Sequence, residues 1–380
     1  MEPQIDIIVK NGHVIDPADG MDKIGNIGIN NGKSLGFVGD NSGAEIEIDA
    51  AGCYVFPGLI DFHTHIYTGG SSLGVNPDVF PSMGVTTAVD AGTTGCSNFR
   101  AFYGSVVAHS AIRINSYINV CSYGQPGDGF PEDFNPDMFC EDKICRLFDE
   151  FPGHIVGLKI RMDTDVLGGR GLTPLVKAKE MAAKIGCPVV VHASNPPTPE
   201  SELAALLDAG DVFCHCFHGK GFNILDGNGH VQAEIWRARE RGVIFDCCNG
   251  ITNCSHDVAR KALNDGFLPE IISTDMCAMI ANQDGHAKNL PFVMSKYLSF
   301  GMTINDVIRA VTDTPAHQLG LDGKAGTLKS GAYGDLVVCR RMEASPVFLD
   351  SALKKYIGNQ LLVPIMTIKD GNIMYRQTDF

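Results

Sequence analysis

Residues 55 to 65 read VFPGLIDFHTH, an apolar run followed by a Pro-Gly pair and two histidines spaced two apart. On an extended strand alternate side chains leave the same face, so His63 and His65 can hold one cation together, and Asp61 shares their parity. Two neighbouring neutral imidazoles are costly to bury without an ion. The stretch therefore predicts a strand that ends in a metal-binding pair, and the surrounding chain shows what that strand belongs to.

Working outward, short apolar segments rich in β-branched residues recur at 84–90, 113–121, 155–161, 188–193, 211–216, 243–248 and 270–275. Stretches with apolar residues at helical spacing separate several of them, at 174–185, 200–209, 233–241 and 257–264. Strands alternating with helices in this way predict an α/β fold, a (β/α)8 TIM barrel over residues 55–324. A doubly wound sheet is the runner-up, and it lacks a glycine fingerprint after its first strand. Residues 1–54 and 325–380 differ in rhythm: short alternating runs are punctuated by Asn11-Gly12, Asn31-Gly32 and Asp370-Gly371, pairs suited to tight hairpin turns. Both chain termini are thus expected to contribute strands to one small β unit. The Gly- and Pro-rich stretch 122–140 is too long for a simple connection and is expected over the barrel mouth or at an interface.

Barrel enzymes place their chemistry at the carboxyl ends of the strands. Lys159, His192, His215 and Asp275 fall at or near such ends, with His63 and His65 at another. Each has a bland reading: a strand histidine is commonly a hydrogen-bonded core residue, and Asp275 could cap the following helix. Lys159, flanked by Ile155, Val156, Leu158 and Ile160, is harder to read as a solvated charge, because an ammonium there loses hydration and a neutral amine becomes accessible. Six such residues at matching strand ends are far rarer than any one of them.

Composition narrows the partners. With 44 acidic against 30 basic residues the formal charge is −14, and no basic stripe interrupts it, so neither nucleic acid nor an anionic membrane is an expected partner. The 13 cysteines are odd in number, scattered from Cys53 to Cys339 and free of CxxC pairs, as in a reduced protein. No basic-flanked leader opens the chain and no window approaches the ~18 apolar residues of a membrane span, so a cytoplasmic enzyme with a small-molecule substrate is expected.

The residues 57–65 (PGLIDFHTH), Gly157-Leu158-Lys159, His192, His215, Ser273-Thr274-Asp275 and the late stretch 331–337 (GAYGDLV) together resemble the amidohydrolase superfamily over essentially the whole chain, which implies that residues 1–54 and 325–380 form a small β-sandwich domain. Residues 73–78 (LGVNPD), 84–92 (GVTTAVDAG), 157–161 (GLKIR) and 215–220 (HCFHGK) are more similar to its dihydroorotase-like amidohydrolase/deacetylase group, also called adenine-deaminase-like. The resemblance implies a binuclear centre of two divalent metal ions, zinc first by ligand type, with manganese or iron as alternatives. His63, His65 and Asp275 would bind one ion and His192 and His215 the other. Lys159, carboxylated to a carbamate, would bridge them beside a shared hydroxide. Asp275 would take the proton of that hydroxide and pass it to the leaving group.

The same resemblance implies hydrolysis of an amide or ester in a small acylated substrate, of the N-acyl amino acid or acetyl ester type. Cyclic amide hydrolysis of the dihydroorotase or hydantoinase kind is the alternative, followed by an adenine-type deaminase. Dihydroorotases resemble H-x-H-x-R where this chain has His65-Ile66-Tyr67, and group members often read Gly-His-Gly where it has Cys248-Asn249-Gly250. Tyr67, Arg161, His218, Asn249 and His256 are the substrate-side candidates, with Arg161 facing a substrate carboxylate and His218 or Tyr67 polarising the scissile carbonyl. A non-catalytic scaffold would have lost ligands, and every ligand position here is filled. A homo-oligomer is compatible with the resemblance.

Overall fold

The structure, a computed structural model, describes residues 5–380 apart from 128 and 282. Seven parallel strands, Leu59–Thr64, Val85–Gly95, Arg113–Asn119, Ile155–Arg161, Val189–His192, Val212–Cys214 and Ile244–Asp246, pair in chain order. The first two are buried along their whole length, as expected of parallel strands covered on both faces.

The eighth segment, expected at 270–275, is not a continuous strand. It closes the ring through single parallel bridges, Asp246 to Ile271 on one side and Thr64 to Met276 on the other. Asp275 takes a left-handed backbone (φ 57°) that breaks the extended run just where the chain enters the site. Its neighbours still reach both flanks: Asn249 N donates to Ser273 O at 3.2 Å, and His65 N donates to Met276 O at 2.8 Å. Ile60, Phe62, Val89, Tyr117, Val190 and Val212 belong to one buried cluster linking five of these strands. A larger cluster includes Leu59, Leu158, Leu175, Phe213 and Val293, drawn from strands and the helices beside them.

The chain ends share one eight-stranded sheet in which Tyr54–Pro57 pairs antiparallel with Leu336–Glu343 and parallel with Ile7–Asp16. The opening stretch is therefore two strands: residues 54–57 belong to the terminal sheet and the barrel begins at Leu59, after Pro57-Gly58. Two of the three turn pairs behave as read. Asn31 (φ 48°) with Gly32, and Asp370 (φ 47°) with Gly371, turn hairpins. Asn11 (φ 61°) instead lies inside the strand Ile7–Asp16, where the register slips between Val9 and Gly12, because the conformation that makes a tight turn also makes a bulge.

Helix Thr173–Ile185 matches its predicted span, whereas the helix expected at 200–209 stops at Glu200–Ala205. The 122–140 stretch lies against the strand ends: Gln125 N donates to Thr93 O at 2.9 Å, and Glu132 accepts from Asn119 at 3.0 Å. All 13 cysteines are free thiols, and among the described residues no helix is long and apolar enough to cross a membrane.

Candidate metal centre

The ring of strand ends brings all six predicted ligands together. Lys159 Nζ lies 3.1 Å from His63 Nε2, and Asp275 Oδ1 lies 3.7 Å from His63 Nε2 and 3.4 Å from His65 Nε2. The His63 ring centroid is 5.8 Å from that of His65 and 5.4 Å from that of His215, which is 4.3 Å from that of His192. Lys159 and His215 are completely or almost completely buried (1% and 0% exposed).

Local backbone explains how such groups fit. Gly92 (φ 82°) sits against Lys159, and a Cβ there would come within 2.5 Å of the lysine Cβ. Gly250 (φ 56°) plays the same part for Asp275, since a Cβ would stand 2.6 Å from its Oδ2. His215 (φ 63°), Cys248 (φ 33°) and Asp275 are themselves left-handed without being glycine, a sparsely populated conformation of the kind that concentrates at functional sites.

Electrostatics prepares the rings as ligands. Burial first, and then the Lys159 charge, push His63 well below the usual imidazole range; burial and the Arg161 charge do so for His192, and burial and His192 for His215. Neutral rings keep a lone pair for an ion. Burial raises Asp275, but contact with His65 and the fields of His215 and Lys159 outweigh it and hold the carboxyl below its ordinary range. Neighbours orient the rings: His215 Nδ1 donates to the Cys248 carbonyl at 2.7 Å, and His65 Nδ1 meets Thr93 Oγ1 at 2.8 Å. His63 Nδ1 and His192 Nε2 are buried and have no hydrogen-bond partner among the described residues. Among the described residues Lys159 forms no ion pair, and its Nζ contact is His63 Nε2 at 3.1 Å. Orphaned imidazole nitrogens beside a carboxylate and an unpaired lysine are a donor set suited to divalent cations.

Asp61, which shares the parity of His63 in sequence, is spent elsewhere. Its carboxylate accepts from Thr274 N at 3.1 Å and Thr274 Oγ1 at 2.6 Å, tying the first barrel strand to the eighth segment. Burial pushes Asp61 up to about 7, and Asp246 likewise.

The substrate-side candidates scatter. Arg161 reaches the mouth, but Glu132 from the 122–140 stretch pairs with Nη1 and Asp163 lies 3.8 Å from Nη2, so its charge is matched before any substrate arrives. His218 is fully buried with both nitrogens engaged, one by Glu200 and the other by Lys220 N at 3.2 Å, which leaves none for a scissile carbonyl. Asn249 turns inward, accepting from Lys296 and donating to Cys247 Sγ at 3.1 Å. His256 does not join the cluster; its ring packs on Phe300 and Tyr356. Tyr67 is half-buried beside Phe102, ring centroids 5.1 Å apart.

Asp246, Glu132 and Cys248 were absent from the predicted set. The available signals were an acid at a strand end in residues 246–249 (DCCN), and the length of the 122–140 stretch. Cys248 belongs to a group with His63, His215 and Asp275 whose donor atoms all lie within 4.8 Å of one another.

A parallel barrel whose strand ends gather imidazoles, a carboxylate and a buried lysine defines the class of metal-dependent barrel hydrolases. The amidohydrolase family profile matches residues 54–374, and the chain belongs to that family. It is similar to a deacetylase of Agrobacterium fabrum, 34% identical over 311 residues covering 80% of this chain and 74% of that one. A deacetylase of Enterococcus faecalis is 31% identical over 374 residues, covering 97% and 98%. Among solved structures, that of an adenine deaminase superposes with a TM-score of 0.90 at 29% identity, covering 98% of this chain and 100% of that one. The chain is a hydrolase of this metal-dependent family.

Proposed function

We propose that this hydrolase removes the acyl group from a small N-acyl amino acid or acetyl ester, using two divalent ions, zinc by preference, held by His63, His65, His192, His215 and Asp275 with Lys159 between them. The observation that carries the reading is Lys159, buried 3.1 Å from His63 Nε2 among imidazoles and the carboxylate of Asp275. An ammonium in that place costs several kcal/mol of desolvation. The neutral amine reacts with carbon dioxide to form an N–C bond and release one proton; counted from the ammonium, two protons leave and a buried cation becomes an anionic carbamate that would complement two cations. The similarity to deacetylases supports the choice of an acyl bond over a ring amide or an amidine.

The bound ions would supply Lewis acidity and an activated water. The protein's own part follows from its contacts. Asp275, kept ionised and 3.4 Å from His65 Nε2, takes the proton of the attacking water at its carboxylate and delivers it to the departing nitrogen or oxygen. Thr93 holds His65 through Nδ1 and so keeps Nε2 turned to that carboxylate. The ion pair between Glu132 and Arg161 ties the 122–140 stretch to the strand ends and limits water around the bond being cut. Tyr67 is the substrate-side residue we assign to the scissile carbonyl, since the structure commits His218 to Glu200.

Elemental analysis of protein purified without chelator, with carbon-13 NMR after labelled bicarbonate, tests the centre. Two equivalents of metal and a carbamate resonance are expected, with turnover of N-acyl amino acids or acetyl esters. One equivalent or none, with an unmodified Lys159, would sink the reading, and preferential turnover of dihydroorotate, hydantoins or adenine would replace the substrate class.

A further inference from the structure

We infer that Cys248 is a sulfur donor in the metal centre, placed beside His63, His215 and Asp275, an inference that rests on the metallohydrolase reading. Cys248 is fully buried, and its Sγ lies 3.9 Å from His215 Nε2. With metal–sulfur and metal–nitrogen bonds of about 2.3 and 2.0–2.1 Å, two ligands on one tetrahedral zinc stand roughly 3.6 Å apart. The distance between His63 Nε2 and Asp275 Oδ1, 3.7 Å, exceeds the roughly 3.3 Å of a nitrogen–oxygen pair on the same ion by a similar few tenths. Both pairs are thus a few tenths of an ångström wider than ligands on one ion, and all four donor atoms lie within 4.8 Å of one another.

The backbone supports the assignment independently of the sulfur. The Cys248 carbonyl accepts from His215 Nδ1, so the neighbouring nitrogen carries the lone pair, and that is the nitrogen nearest Sγ. Cys248 N donates to Asp246 Oδ1 at 2.9 Å, which pins the left-handed turn. A second group, His63 with Cys214 and Asp246, has comparable spacing, but there both carboxylate oxygens lie 2.8 Å from Ser273 Oγ, whose one hydroxyl they share, and Oδ1 also accepts from Cys248 N. Its oxygens are spent on the fold, whereas among the described residues the ion-pair contacts of Asp275 Oδ1 are to His63 and His65 of the centre.

On binding, the Cys248 S–H bond breaks, its proton passes to solvent, and a sulfur–metal bond forms with no change of oxidation state. A soft donor at this place biases the centre toward zinc, cobalt or cadmium over manganese.

The test reconstitutes the full-length apoprotein with cobalt(II), counts bound equivalents by elemental analysis, and records the thiolate-to-cobalt charge-transfer absorption in the near ultraviolet. Wild type should bind two equivalents and show the band. Cys248→Ser, and Cys248→Gly in case serine perturbs the left-handed turn, should lose the band and bind one ion at least about tenfold more weakly. Cys214→Ser should keep both. Zinc-edge X-ray absorption on wild type should find sulfur at about 2.3 Å, without recourse to any variant. Two equivalents with no band and no sulfur scattering would overturn the role of Cys248 and leave the metallohydrolase standing, as would a band that persists in both Cys248 variants. Failure of wild type to bind cobalt at all would overturn both.

Discussion

Two lysines are buried near the same end of this barrel, Lys159 at 1% exposure and Lys296 at 5%, and they live in different chemistry. Lys159 faces an imidazole nitrogen at 3.1 Å among further imidazoles and the carboxylate of Asp275. Lys296, on the helix Leu290–Ser299, gives its hydrogen bonds to the Asn249 amide oxygen and, at 3.3 Å, to Cys254 Sγ. The first environment offers lone pairs and negative charge that cations can use. The second offers only neutral acceptors that hold a loop in place. Burial alone does not mark a reactive lysine; the donor set around it does.

The largest expected effect separates them directly. Lys159→Met should reduce kcat/KM by at least about a thousandfold, roughly 4 kcal/mol of transition-state stabilisation, and drop the metal content below that of wild type. Steady-state kinetics with elemental analysis checks this, and full activity in the variant would remove Lys159 from the centre. Next, Asp275→Asn preserves the shape but not the base, and should lower kcat by about 10²–10⁴. A pre-steady-state rate that is unaffected would transfer the proton to another group.

Lys296→Met should behave otherwise. It leaves the buried Asn249 oxygen without its donor, a loss of about 1–3 kcal/mol in urea denaturation, while metal content stays at the wild-type value. Loss of metal in this variant would mean that the two lysine environments are one functional unit.

What could be read from the residues follows the same division. His63, His65, Lys159, His192, His215 and Asp275 were legible because each is an unusual residue at a recurring position, the end of an apolar run. Their assembly needs only the barrel topology. His218 shares a short segment with His215 and was read with it, but its partner is Glu200, brought in by tertiary packing that no local spacing encodes. Cys248 was hidden by its residue type, since a cysteine among apolar neighbours reads as core. The eighth strand was placed correctly along the chain but not in regularity, because Asp275 must leave the extended conformation to turn its carboxylate toward His65. Asn11-Gly12 carried true turn chemistry, and only its strand partners determine that it becomes a bulge.

The smallest effect concerns His256, which faces Lys296. Burial is the main reason its imidazole is held down to about 4, with Lys296 and Arg260 adding to that and Asp350 opposing it. The Leu349 backbone also works against that depression, and the neutral ring packs against Phe300 and Tyr356. In the unfolded chain the ring titrates near 6.5, so between about pH 6.5 and 4 the unfolded state binds a proton that the folded state refuses. This residue's contribution is therefore complete above about pH 6.5 and is lost as pH falls toward 4, by at most roughly 3 kcal/mol. His256→Phe removes the titration and keeps an aromatic ring against Phe300 and Tyr356. It should leave stability at pH 8 within about 1 kcal/mol of wild type and flatten the acid side of the stability curve, as read by urea midpoints from pH 8 to 4. An acid limb identical to wild type would place the proton uptake on other groups and show that the Lys296 environment does not govern His256.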